Sequence, residues 1–245
     1  MATLYVIATP IGNLEDITFR AVRVLGEVDA LACEDTRHTR IIYAHYQIPS
    51  PKTIFSCHEY NETQSARRIL GLLEQGLNVG LCTKAGYPGV SDPGYRVVAA
   101  CVEAGHRIEV IPGPSAVTMA LATSGLPLSS YTFKGFPPKK LGPRRRFLEA
   151  EKDAPHTLVM FESPNRVAVL LADALAVLGN RRAAVCIELT KKFEQIRRGF
   201  LDELAAHFGD LEVRGEITVV IAGNNPKFAK APEAEDGGIA SLRLQ

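Results

Sequence analysis

The chain holds 245 residues, 46% hydrophobic and 22% charged, and 28 Lys and Arg against 27 Asp and Glu leave a formal net charge of +1. That balance argues against intrinsic disorder, and the length suffices for one large core or two of roughly 110 residues each. No apolar run approaches the ~20 residues that a bilayer span requires, and the opening MATLYVIATP lacks the basic n-region of a signal peptide, so it reads as a strand.

In chain order, residues 3–8, 29–33, 78–83 and 107–111 read as short apolar strands, separated by helical patterns such as 61–75. This alternation predicts an α/β fold with a mostly parallel sheet in the N-terminal half. The Pro-Gly-Pro-Ser stretch at 112–115 marks a boundary, giving an N-terminal α/β domain over 1–113. Strand candidates at 131–136, 156–162, 183–189, 195–200 and 216–223 follow, with helices near 142–152, 164–178 and 201–208. Their short links predict a C-terminal α/β domain over 114–224 built on a mixed sheet. Apolar periodicity stops at Asn224, so 225–245 is expected to be a poorly ordered tail.

Five cysteines, Cys33, Cys57, Cys82, Cys101 and Cys186, are widely spaced and form no CxxC pair. Each sits in or beside an apolar run, where a free thiol behaves as a small hydrophobe. A reducing compartment, most simply the cytoplasm, fits that usage. The histidines make no metal-ligand spacing, so no metal is expected. GxGxxG, GxxxxGK[ST] and GxSxG are absent, which removes the standard dinucleotide, phosphate-loop and hydrolase readings.

Five stretches remain that could carry chemistry. ATPIGNLEDIT (8–18) and CEDTRHTR (33–40) both follow strands, where α/β sheets bind ligands. Gly12 in the first would let backbone approach a ligand, although a plain strand–helix turn explains it equally well. Glu34 and Asp35 in the second are candidate proton acceptors, against the alternative of helix-start charges. TKAGYPGVSDPGY (83–95) packs three glycines and two prolines into an irregular loop, with a helix expected to open at Ser91 or Asp92. So much special backbone favours a ligand cradle over a structural turn. Small residues after PGPS at 112–115 allow close packing against a cofactor or a helix. Finally, 134–146 concentrates Lys134, Lys139, Lys140, Arg144, Arg145 and Arg146 with no acid. The bland account is a solvated basic face; the functional one is contact with a phosphate backbone.

LYVIATPIGNLEDIT, ACEDTR, the SDPG-containing loop, IPGPSA, KGFPPKK, MFESPNR, IELTKKFE and GEITVVI occur in this order between residue 3 and about 223. Together they resemble the branch of the tetrapyrrole methylase superfamily that methylates the ribose 2′-hydroxyl of a cytidine in small-subunit (16S) ribosomal RNA. The resemblance implies two α/β domains with S-adenosylmethionine in the cleft between them, and a homodimer. By position, the cofactor contacts would be Ile11, Gly12, Ala85, Gly86, Tyr87, Val90, Ser115, Ala116, Glu162 and Leu189. Asp35 and Glu34 would then serve as proton acceptors in a direct displacement. The basic residues of 134–146 would meet ribosomal RNA or the small ribosomal subunit, and no membrane partner is implied.

One departure stands out. The branch reads SDAGTP where this chain reads TKAGYP, so Lys84 replaces an aspartate and Tyr87 a threonine. Two other readings therefore stay open: a small-molecule methyltransferase acting on a tetrapyrrole, and a catalytically silent RNA-binding paralogue.

Overall fold

The computed structural model describes residues 2–209 and 211–230. In the first half, β1 (Thr3–Ile7), β2 (Ala30–Cys33), β3 (Thr53–Ser56), β4 (Val79–Cys82) and β5 (Arg107–Ile111) form one sheet. Its order is β3-β2-β4-β1-β5, and every neighbouring pair is parallel. β2 and β4 are buried throughout and β1 nearly so, as strands covered on both faces must be. On one face α1 (Phe19–Glu27) and α2 (Thr36–Tyr46) bring Leu25 and Ile42 against Ile7, Leu31 and Cys82. On the other, α3 (Glu62–Glu74) and α4 (Tyr95–Glu103) bring Ile69, Leu73 and Val97 against Leu4, Val6 and Leu81. Successive residues of β1 thus serve opposite cores, Leu4 and Val6 one and Tyr5 and Ile7 the other. The edge strand β3 escapes a sequence reading because it is short and mostly half exposed, with no continuous apolar run.

The chain passes to a second sheet through residues 112–115. There α5 (Ala116–Ser124), β6 (Tyr131–Phe133), α6 (Leu141–Glu149), β7 (Thr157–Glu162), α7 (Val167–Leu178), β8 (Arg182–Ile187), β9 (Gln195–Phe200), α8 (Leu201–Gly209) and β10 (Ile217–Ile221) follow. The strand order is β6-β7-β10-β8-β9, parallel only between β6 and β7. One face carries α6, α7 and α8, whose Leu148, Leu170, Leu171 and Phe208 join Leu158, Met160, Val185 and Val219 in the largest core. Complete burial of each such leucine contributes about 1.5–3 kcal/mol. The opposite face is covered by α5, and there Val117 and Leu121 share a cluster with Val159, Ala184, Val220 and Ile11 from the first half.

The first residues of the expected tail, 225–230, take up local structure. Asn225 caps a 3₁₀ turn over Pro226–Phe228, and Lys230 pairs with Asp202 at 2.8 Å. Phe228 also packs against the apolar cluster under α5, so polar contacts and one ring hold the segment without an apolar periodicity. The rest of the expected tail, 231–245, lies outside the described residues.

Parallel pairing has one consequence for function. The segments that follow β1, β2, β4 and β5 all leave the first sheet from the same edge, where ligands of open α/β sheets bind.

Candidate functional site

At that edge lies a cavity of about 360 Å³, within the range of small-molecule sites. Ile11 enters it from the loop after β1. Ala85, Gly86, Tyr87, Val90, Ser91 and Asp92 come from the loop after β4, and Ser115 and Ala116 from the start of α5. The second sheet closes the other side with Phe136, Phe161, Glu162, Ser163 and Pro164, and with 215–218 leading into β10.

Three first-half loops are tied to one another. Thr9 and Gly86 exchange both backbone hydrogen bonds, at 2.9 and 3.0 Å. Gly86 sits at φ +73, in the left-handed region open to glycine. The Tyr87 hydroxyl accepts from the Gly113 N–H at 2.9 Å and donates to the Gly113 carbonyl at 3.3 Å. The tyrosine that departs from the motif is therefore a brace between the second and third loops of the wall.

The helix expected at Ser91 or Asp92 begins at Tyr95, with Gly94 as its N-cap. Glu62 on α3 supplies the missing cap: its Oε1 accepts from the N–H groups of Gly94 and Arg96, both at 2.8 Å. Gly94 lies so close to Gly89 and Pro88 that a Cβ there would meet the Gly89 nitrogen at 2.8 Å. A long-range cap of this kind cannot be read from local sequence. It frees Asp92 from capping, and Asp92 becomes part of the cavity wall.

Glu162 is almost wholly buried. It pairs with Arg166, and its Oε1 accepts from the Ser163 N–H at 2.7 Å. Its second oxygen, Oε2, is buried without a hydrogen-bond partner among the described residues. An unpartnered buried acceptor is costly, so its place in a ligand cavity has a physical meaning. Asp92 has a different environment. Burial first, and then the like charges of Glu34 and Glu216, push its carboxyl up to about 7.

The segment after β8 joins the two halves. Glu188 and Thr190 have positive φ of 52 and 68, and Lys191 reaches Glu188 at 2.7 Å and Glu216 at 3.0 Å. Asn13 donates its N–H to Thr190 Oγ1 at 3.1 Å, and Gly12 lies directly against the Lys191 side chain. Strained backbone of this kind persists only where its surroundings enforce it.

Among the expected cofactor residues, Ile11, Ala85, Gly86, Tyr87, Val90, Ser115, Ala116 and Glu162 line the cavity. Gly12 and Leu189 do not. Gly12 makes room for Lys191, and Leu189 is buried in the apolar cluster shared with Ile11 and Ala85. Asp35 is the N-cap of α2, bound to the Arg37 guanidinium, which holds its carboxyl down at about 2. That carboxylate is already engaged, outside the cavity wall. Glu34 accepts from the Lys84 N–H at 3.0 Å, also outside the wall, and reaches the cavity only through its charge on Asp92. Lys84 itself is exposed and does not line the cavity. The residues a sequence reading misses are Asp92, Glu216 and the aromatic pair Phe136 and Phe161, whose rings lie 5.6 Å apart.

The basic segment divides. Arg144, 5% exposed, pairs with Asp173 of α7 at 2.7 Å, and Arg145 meets the same carboxylate at 2.9 Å. Lys134 pairs with Glu151 at 2.6 Å and lies over the Phe147 ring. Arg144 and Lys134 are thus engaged within the fold, while Arg145 keeps about half of its side chain exposed. Lys139, Lys140 and Arg146 remain exposed with no ion pair among the described residues. The segment starts at the cavity mouth, where Phe136 lines the wall and Gly135 faces Ser91.

Residues 3–205 match the family model described as Tetrapyrrole (Corrin/Porphyrin) Methylases. The chain belongs to that family. Within it, the chain is 46% identical over 233 residues to a protein of Micromonospora olivasterospora named "Ribosomal RNA small subunit methyltransferase I", covering 95% of this chain and 74% of that one. A protein of the same name from Thermotoga maritima is 42% identical, with 91% and 99% covered, and one from Halalkalibacterium halodurans is 42% identical, with 92% and 77% covered. Solved structures share the fold. The methyltransferase CobJ superposes with a TM-score of 0.67 at 17% identity, covering 91% of this chain and 95% of that one. Uroporphyrin-III C-methyl transferase from Thermus thermophilus, complexed with S-adenyl homocysteine, gives 0.62 at 21% identity, with 91% and 97% covered. Among the described residues no helix is long and apolar enough to cross a membrane, and no acid, histidine and cysteine cluster could hold a metal.

Proposed function

We propose that this tetrapyrrole methylase is an S-adenosylmethionine-dependent methyltransferase that acts on the ribose 2′-hydroxyl of a cytidine in 16S ribosomal RNA. What carries the reading is the identity of 42–46%, over more than nine-tenths of the chain, to relatives named for ribosomal RNA. We take 1–113 and 114–224 as the two domains, with the cofactor between them.

The residues fit the cofactor. Phe161 and Ala116 offer apolar wall, and the free Oε2 of Glu162 is an acceptor suited to a ribose hydroxyl or an amino group. Ser115 makes no cap hydrogen bond, so the first N–H groups of α5 are left for a carboxylate or hydroxyl. When bound, the cofactor supplies a methyl group made electrophilic by its sulfonium. The protein's part is to hold the hydroxyl in line at roughly 3 Å, exclude water and take up a proton. All five thiols are buried and free and none lines the cavity, so none is placed for covalent catalysis.

The exposed cations Lys139, Lys140 and Arg146 next to the cavity mouth favour an RNA substrate over a tetrapyrrole. Lys84 outside the wall leaves the silent-paralogue reading without its motive. Free buried thiols support a cytoplasmic setting, and the family's usual homodimer is expected, to be read by light scattering. The test is methyl transfer from labelled S-adenosylmethionine to small subunits lacking the modification. Label on a cytidine ribose supports the reading, and absence of transfer to subunits and to naked 16S RNA refutes it.

A further inference from the structure

We propose that a groove beside β9 is a second binding site for the RNA substrate. It takes up one unpaired nucleotide close to the methylated cytidine, with the base stacked on Phe193 and the phosphate met by Arg197 and Lys192. The proposal rests on the methyltransferase reading above and deepens it.

Strand register places the groove in line with the cofactor cavity. Glu162 at the end of β7 is level with Ile217 at the start of β10, and Ile217 with Ile187 at the end of β8. Ile187 in turn is level with Gln195 at the start of β9, while Phe136 follows β6, which runs parallel to β7. The basic segment, the cavity wall and residues 188–194 therefore lie side by side along one end of the second sheet. Neighbouring strands stand about 4.8 Å apart, so β9 is about 10 Å from β10 and about 19 Å from β6. A single strand with its target ribose at the cavity meets the exposed cations of 139–146 on one side and the groove on the other.

The groove measures about 640 Å³, lies between β9, the end of α8 and residues 211–215, and shares Gly215 with the cofactor cavity. Ile187, Phe208 and Val213 give it an apolar floor, and Phe193, Arg197 and Arg214 stand at its rim. Phe193 is 69% exposed, yet its loop is braced. The Lys191 N–H donates to the Glu188 carbonyl and the Glu194 N–H to the Lys191 carbonyl, both at 3.0 Å, and the Glu194 carboxylate accepts from the Thr190 N–H at 2.7 Å. A ring fixed in solvent on such a loop takes a base with little further loss of conformational freedom.

The charges favour a polyanion over an apolar peptide or a second copy of the chain. Arg197 and Lys192 are exposed without an ion pair among the described residues, and the Lys192 ammonium stands 5.7 Å from the Phe193 ring centre. The acids nearby are engaged. Glu188 holds Lys191, Glu194 holds the Thr190 amide, and Glu212 meets Arg214 at 3.1 Å in solvent. An exposed pair of that kind is weak, so Arg214 is free to turn to a phosphate. Unpaired RNA is recognised by this combination, with bases splayed onto aromatic rings and phosphates met by cations.

The test compares wild type with Phe193→Ala, Phe193→Trp and Arg197→Ala on the substrate that wild type methylates, small subunits or naked 16S RNA. Phe193→Ala should raise the KM for RNA about 10-fold with the salt slope of binding unchanged. Its kcat, and its affinity for S-adenosylmethionine by calorimetry, should stay those of wild type. Arg197→Ala should lower the log–log salt slope by about 0.7. Phe193→Trp should keep the wild-type KM. The natural chain has no tryptophan, so this variant also carries a single reporter at the ring. Its emission should be quenched by a short oligocytidylate and not by inorganic polyphosphate, which has no base to stack. An active wild type whose KM and salt slope survive both alanine substitutions overturns this inference alone. So does an emission that oligocytidylate leaves unchanged, or that polyphosphate quenches equally. A change of mass by light scattering in Phe193→Ala overturns it too, by making the groove a contact between copies. A wild type that methylates neither small subunits nor naked 16S RNA overturns the substrate reading, and this inference with it.

Discussion

At the scale of single residues, two carboxylates in one cavity wall have opposite fates. Among the described residues Glu162 is satisfied on one oxygen and orphaned on the other, while Asp92 has no hydrogen-bond partner and feels the like charges of Glu34 and Glu216. The raised Asp92 carboxyl makes a stability prediction with a definite sign. Its folded value lies near 7 and its ordinary value is 3.8, so the folded protein binds the extra proton between those limits. The stability associated with that proton is fully present below about 3.8 and is lost as pH rises through 7. Asp92→Asn is therefore expected to raise the melting temperature at pH 8, with a gain that shrinks towards nothing near pH 4. Thermal scans of both proteins at those pH values check this. A second prediction concerns ligand space. Ala116→Phe places a ring in the cavity at the first turn of α5 and should abolish S-adenosylmethionine binding, while circular dichroism stays that of the wild type. It is a cleaner probe than Gly86→Val, since Gly86 sits at φ +73 and a β-branched residue there would also strain the loop.

At the scale of elements, α6 shows how a basic run divides its labour. Arg144 and Arg145 clamp α6 to α7 through Asp173, and Arg144 also donates to the Lys139 carbonyl at 2.8 Å. Removing one member of a buried pair leaves its partner undercompensated, so Arg144→Ala should cost about 3–5 kcal/mol by denaturant titration. The combined Lys139, Lys140 and Arg146→Ala variant should leave stability unchanged and weaken RNA binding. Its salt dependence should flatten by about 2–3 in log–log slope, at roughly 0.7–0.9 per phosphate contact. Filter binding across a salt series reads both effects, and an unchanged slope would return the three cations to a solvated face.

At the scale of the whole molecule, the cavity exists because two sheets meet across a seam. That seam is held by Ile11 in the second half's apolar cluster, Asn13 on Thr190, and the Lys191 side chain lying over Gly12. A side chain at Gly12 would occupy the space Lys191 fills. Gly12→Val is expected to push Lys191 from Glu216, loosen the seam and weaken S-adenosylmethionine binding about tenfold, or about 1.4 kcal/mol, by calorimetry. Gly12 thus acts on the site through the neighbour it admits.

The alternation of strand and helix along the chain and the loops after β1 and β4 were legible from sequence. A parallel strand buried on both faces must be an apolar run, and an irregular loop needs glycine and proline wherever backbone leaves the common regions. The edge strand β3 and the true start of α4 were not legible. The first has little burial to mark it, and the second is capped by Glu62 from another helix. Side-chain roles divided along the same line. That Ile11 and 85–87 meet follows from their places after parallel strands, whereas the partners of Arg144 and Lys134 and the charges around Asp92 come from distant segments. Sequence determines which residues can be charged and which backbone can bend. Whether a charge is spent inside the fold, left in solvent or raised towards neutrality depends on through-space distance and desolvation, and only the packed chain sets those.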